Sequence, residues 1–204
     1  MARPPQDPQK RINEILEAAE PLFYSKGYHE TSIGDIVKKM GVAHGTIYYY
    51  FKSKEEILEA LLNRHIAILL GEVSQVVTQQ AMNPADKLAI TMKTLFQGIQ
   101  LPDGLLFAYL YNEKTIHFMD KLSREGKMLM DPIFRKILQE GQEQGCFSIP
   151  HLSAATNLLY GILDSLMESL YENYSEEQRA AQFSLSEKLI ETIVGAKPGT
   201  IHLL

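Results

Sequence analysis

Apolar positions recur at helical spacing almost from the start of the chain. Ile12, Ile15, Leu16, Ala19, Leu22 and Phe23 follow one another at intervals of 3, 1, 3, 3 and 1, which makes one helical face. Asp7 is placed to cap this helix and Pro8 to open it, while Pro21 inside it marks a kink or bend. Gly27 suits a left-handed stop, with Tyr28 as the apolar contact that follows one. Ile33, Ile36, Val37 and Met40 form the buried face of a second helix, which starts at Ser32 with Asp35 three residues on. It stops at Gly41, and a third helix begins almost at once and ends near Phe51. Ser53 and Glu56 form an S-x-x-E box that opens a fourth. From there the pattern predicts helices near 54–80, 84–100, 103–112, 115–144, 153–173 and 176–195. Asn83-Pro84, Pro102-Asp103-Gly104, Gly145 to Pro150 and Asn173 to Ser175 are the breaks. No stretch alternates like a strand, so the fold class is all-α.

Two short helices joined by a tight turn, with a longer helix on either side, have the arrangement of a helix-turn-helix. This divides the chain into an N-terminal arm with a three-helix head, residues 1–53, and a helical body, residues 54–204.

The third helix raises a packing problem, because Tyr48-Tyr49-Tyr50-Phe51 cannot all face one way. At about 100° per residue, with Ile47 at zero, Phe51 falls at ~40° and Tyr50 at ~−60°. These three make the buried face, joined by Val42 from the turn. Gly45 and Tyr49 lie opposite, with Tyr48 on one flank and Thr46 on the other. An outward face of Gly, Thr and Tyr is unlike a merely solvated one, which would carry Glu and Lys. It suits a DNA groove: Gly45 permits close approach, Thr46 reaches a phosphate or a thymine methyl, and tyrosine hydroxyls bond phosphates. Lys54, at the start of the next helix, adds a charge for the backbone. The competing reading is that Tyr48 and Tyr49 pack beneath another part of the protein.

Charge bears on this choice. The chain has 204 residues and a net charge of −5. Residues 1–54 hold eight Lys/Arg against six Asp/Glu, and residues 55–204 hold twelve against nineteen, so a head of +2 precedes a body of −7. Only the head is then expected to meet a polyanion. No run approaches eighteen apolar residues, so no membrane span is expected. The start, MARPPQDPQKR, lacks the apolar core of a secretory signal, and the single cysteine, Cys146, suits a reducing cytoplasm.

The ordered set Gly27-Tyr28, Thr31-Ser32, Gly41-Val42, Gly45-Thr46-Ile47-Tyr48, Tyr50-Phe51, Ser53-Lys54-Glu55 and Leu58 resembles the DNA-binding domain of the TetR/AcrR family of bacterial transcriptional regulators. The resemblance runs from Ile12 to Leu62, about a quarter of the chain. It implies a homodimer whose N-terminal helices read a near-palindromic operator on double-stranded DNA. The C-terminal domain would enclose a small-molecule effector and pair through its last two long helices. Carried over residue by residue, the recognition helix is 44–50. The expected DNA contacts are Thr31, Ser32, His44, Gly45, Thr46, Tyr48, Tyr49, Tyr50 and Lys54. Three positions depart from the family pattern. Ala43 stands where a serine often caps the recognition helix, His44 where lysine is common, and Val37 where a small alanine is frequent.

In the body, Leu159, Ile162, Leu163, Leu166, Met167 and Leu170 line one stripe, continued by Leu185, Leu189 and Ile193. These are the expected dimer face, although part of the stripe must also be core. Phe107, Tyr109, Tyr111, Asn112, His117, Phe118, Met119 and Tyr160 are candidates for the effector pocket, being mostly apolar with few polar groups. The same residues would serve as ordinary core. Neither a Walker loop nor H-E-x-x-H, G-x-S-x-G or a cysteine pair occurs, so an enzyme, a cofactor and a metal are not expected. Glu113 and His117 could hold a metal as i, i+4 partners, but a surface pair explains them equally. The function expected is a ligand-responsive regulator, a repressor released by an apolar or amphipathic effector. Two other readings fit the same residues: a DNA-binding protein without an inducer, and a helical carrier of hydrophobic molecules.

Overall fold

The computed structural model describes residues 7–99, 116–170 and 174–203; within these, the side chains of 99, 116–123 and 125 are left aside. Every regular element among the described residues is an α-helix: α1 (Pro8–Lys26), α2 (Ile33–Met40), α3 (His44–Tyr50), α4 (Lys54–Thr78), α5 (Pro84–Ile99), α6 (Ile116–Glu143), α7 (Leu152–Glu168) and α8 (Glu176–Val194). The helix expected at 103–112 lies outside the described residues. The chain parts into two units within α4, between Ile68 and Leu69.

In the first unit the local signals mostly act as their chemistry dictates. Asp7 caps α1 by accepting from the Gln9 N–H at 3.0 Å, and α1 runs on through Pro21 without a break. Ser32 and Asp35 close a full capping box on α2, and Gly41 ends that helix in the left-handed region (φ 65°, ψ 33°). Two expectations need correction. Gly27 has φ 87° but ψ 150°, so the chain leaves α1 extended and not through a left-handed helical turn. On α4, Ser53 Oγ accepts from the Glu56 N–H, but the Glu56 carboxylate returns to the N–H of Lys52, not to that of Ser53. Ile15, Leu16, Ala19 and Phe23 from α1, Ile36 and Val37 from α2, Ile47 from α3 and Ile57, Leu58, Leu61 and Leu62 from α4 are all buried. Tyr28 joins them, its ring edge-on to Phe23 at 5.3 Å.

The second unit is built on one apolar core that draws on α4 to α8. α7 ends at Glu168, not near residue 173, where Ser169 takes over as the cap and turns its hydroxyl back to the Leu166 carbonyl at 2.6 Å. Ser175 and Gln178 form the capping box that starts α8. Beyond α8 the chain folds back: Ile201 and Leu203 are buried in the same core. Two carboxylates on α8 fix this tail. Glu191 accepts from the N–H groups of Thr200 and Ile201, and Glu187 accepts from that of Leu203. No helix among the described residues is long and apolar enough to cross a membrane.

Candidate nucleic-acid interface

The recognition segment is built outward from Ile47. That side chain is fully buried, and Phe51, one turn on, is nearly so. Fixing these two on the inner side of a seven-residue helix forces Gly45, Tyr48 and Tyr49 outward. Tyr49 is 80 % exposed and Tyr48 52 %. Tyr50 is half-buried, and its ring stands edge-on to Tyr49 at 4.9 Å, so it braces the outermost aromatic as well as the helix. Thr46 is half-buried on the flank. A Cβ added to Gly45 would meet nothing within 4 Å, so this point of the helix surface is open.

α3 starts without a side-chain cap, because Ala43 occupies the cap position. His44 opens the helix, exposed to solvent, beside Gly34 of α2: a Cβ there would lie 3.8 Å from His44 Nε2. The helix therefore presents the His44 imidazole and the Tyr48 and Tyr49 phenols to solvent.

Three of the residues expected at DNA have their donors engaged inside the protein. Thr31 is buried, and its hydroxyl lies 2.7 Å from the Gly27 carbonyl and 3.1 Å from that of Leu22. Ser32 is exposed, but it gives both its hydroxyl and its N–H to Asp35 Oδ2, at 2.7 and 2.8 Å. Lys26 Nζ completes that carboxylate's shell at 2.9 Å. The Ser32 hydroxyl, followed by Lys26 and the Ser32 N–H, holds the Asp35 carboxyl well below the usual carboxylate range. A negative charge thus already occupies the N-terminus of α2, where a phosphate would otherwise be favoured.

Lys54 is the third. Its ammonium donates to the carbonyl oxygens of Tyr28 (2.7 Å), His29 (3.1 Å) and Thr31 (2.7 Å), and stands 4.3 Å from the centre of the Tyr28 ring. Burial lowers its pKa. Nothing local to Lys54 signals this turn inward, since the carbonyls that receive the lysine lie more than twenty residues upstream.

In the body, the expected effector residues are mostly beyond description. Phe107, Tyr109, Tyr111 and Asn112 lie outside the described residues, as do the side chains of His117, Phe118 and Met119. Tyr160 is buried, edge-on to Phe134 at 5.6 Å, and donates its hydroxyl to the Gly126 carbonyl at 2.8 Å. Of the expected dimer face, Leu159, Leu163 and Leu166 are buried in their own chain's core. Ile162, Met167, Leu170 and Ile193 pack partly against it. Leu185 and Leu189 stand out at 60 % and 54 %, together with Leu158 of α7 at 55 %, which the sequence reading passed over. No group of three or more His, Cys, Asp or Glu among the described residues could hold a metal ion.

Residues 15–61 match the family model of the bacterial regulatory proteins of the tetR family, the span that carries α2, the turn and α3. Residues 15–61 thus form a DNA-binding domain of the TetR/AcrR family of transcriptional regulators. It is 29 % identical over 150 residues to the HTH-type transcriptional repressor KstR2 of Mycolicibacterium smegmatis, covering 70 % of each chain. It is 24 % identical over 186 residues to the fatty acid metabolism regulator protein of Bacillus subtilis, covering 89 % of this chain and 92 % of that one. The fold is similar to the crystal structure of the transcriptional regulator FadR from Bacillus subtilis in complex with stearoyl-CoA, with a TM-score of 0.63 at 24 % identity over 93 % of this chain and 99 % of that one.

Proposed function

We propose that this TetR/AcrR regulator represses transcription as a homodimer that a small effector releases from its operator. The observation that carries the DNA-binding part is the outward face of α3, with Tyr49 80 % exposed while Ile47 beneath it is fully buried. The contact set is His44, Gly45, Thr46, Tyr48, Tyr49 and Tyr50. Arrayed on one short helix, these side chains reach phosphates and base edges of one groove. Two copies are needed to read a near-palindrome, and exposed Leu158, Leu185 and Leu189 supply an apolar face for the second copy. The regulator acts in the cytoplasm, on the nucleoid.

The effector is apolar or amphipathic, and an acyl thioester is the class to test first, because the similar Bacillus subtilis FadR structure holds stearoyl-CoA and a relative that aligns along nearly the whole chain is a fatty acid metabolism regulator. It acts only through its differential affinity for the DNA-binding and released states. A coupling of about 1–3 kcal/mol relieves repression roughly 5–150-fold.

A titration against the DNA flanking its own gene, at two salt concentrations, tests the reading. Site-selective binding that weakens with salt, vanishes in Tyr49→Ala and falls on addition of stearoyl-CoA is the expected result. Equal, weak binding of wild type and variant to every fragment of a genomic pool would overturn it.

A further inference from the structure

The Lys54 ammonium has three N–H groups, and three backbone carbonyls receive them. Those carbonyls belong to the corner between α1 and α2. Carbonyl dipoles converging on one point repel one another unless a cation sits among them. Lys54 is that cation, delivered from the first residue of α4. The same corner is tied from within by Thr31, whose N–H returns to the Gly27 carbonyl at 3.1 Å and whose hydroxyl is buried against it. The corner leads directly into Ser32, the cap of α2, and α2 packs on α3. Where the corner sits therefore decides where α2 starts and how it seats the recognition helix.

We propose that Lys54 is a positioning residue of the DNA-binding head, which contributes to operator affinity by holding the α1–α2 corner and not by pairing with a phosphate. The inference rests on the DNA-binding reading above. A lysine at the edge of a DNA-binding face would ordinarily be counted among the phosphate contacts, and the two roles leave different marks. A phosphate contact releases counterions, so its removal lowers the salt dependence of binding by about one unit of log–log slope. A positioning residue carries no counterions, so its removal weakens binding at every salt concentration alike.

The experiment measures operator affinity across a salt series for wild type, Lys54→Met and Lys54→Arg, with folding checked by circular dichroism. Methionine keeps the stem and removes the charge. Arginine keeps the charge, but its planar fork does not place three donors on converging carbonyls. Affinity is expected to fall about tenfold or more in both variants, as for losing charge-assisted hydrogen bonds, with the slope unchanged. A slope about one unit lower in Lys54→Met, with Lys54→Arg binding like wild type, would overturn the proposal, as would two variants that bind like wild type. Should the variants fail to fold, the wild-type Lys54 ¹⁵Nζ ammonium resonance decides. It is expected to be protected from exchange and unmoved on adding operator DNA; a large shift on binding would mark a phosphate contact. Failure of the DNA-binding reading itself appears separately, as a wild type without site-selective binding, and the positioning role falls with it.

Discussion

Lys87 Nζ lies 2.7 Å from both carboxylate oxygens of Glu140, and the lysine side chain is 2 % exposed while the glutamate's is 22 %. The pair joins α5 to α6 across the second unit, with Gln144 adding a bond to Glu140 at 3.1 Å. The asymmetry in burial decides what each substitution does. Glu140→Gln strands an ammonium out of water, at a cost of about 3 kcal/mol. Lys87→Met leaves a carboxylate that still reaches solvent and its glutamine partner, and costs less, about 1 kcal/mol. Urea denaturation of the two variants checks the order; equal losses would show that burial of the lysine does not govern the pair.

The Asp35 carboxyl is depressed by its Ser32 and Lys26 partners. A carboxylate whose folded pKa lies below its unfolded one contributes stability that is full above the unfolded value and is lost as pH falls below it. Acid should therefore weaken the head progressively below the ordinary aspartate value of 3.8. Asp35→Asn should flatten that part of the stability–pH curve and lower the melting temperature near neutral pH. Thermal melts from about pH 7 down to about pH 2, well below the unfolded aspartate value where the loss develops, read both effects.

Leu185 and Leu189 are more than half exposed on α8, beside a core that already fills α7's inner side with Leu159, Leu163 and Leu166. On the homodimer reading they meet a second copy. Leu185→Glu with Leu189→Glu should give a helical monomer by sedimentation velocity, with operator binding lost. A doubly substituted chain that sediments like wild type would place the dimer face elsewhere.

Gly195 closes α8 with φ 64°, and a Cβ there would stand 2.5 Å from the Ser148 carbonyl oxygen. The Ser148 N–H also donates to the Val194 carbonyl at 2.9 Å, so that loop cannot simply withdraw. Gly195→Ala combines left-handed strain with a backbone clash and is expected to cost about 2 kcal/mol or more. Truncation after Pro198 should be comparably harmful, since it removes buried Ile201 and Leu203 and strips Glu191 of both its N–H donors. Equilibrium denaturation of each measures the loss.

By itself the sequence determined what local chemistry determines. Asp7 and the Ser32–Asp35 box act over a few residues, and helical periodicity alone sorted Ile47 and Phe51 from Tyr48 and Tyr49. The spacing of the recognition segment was equally legible, since its turn and helix are contiguous. Only the tertiary structure decided where long side chains went. The donors of Lys54 are met by carbonyls that folding brings back from α1's end, and those of Thr31 are consumed at the same corner. An apolar stripe broader than one contact face could not say which leucines turn inward. Leu159, Leu163 and Leu166 did so because the core lies on that side of α7, while Leu158 and Leu185 did not. The returning tail carries no periodicity at all, and its place follows from Glu187 and Glu191 offering acceptors to N–H groups that burial would otherwise leave unpaired.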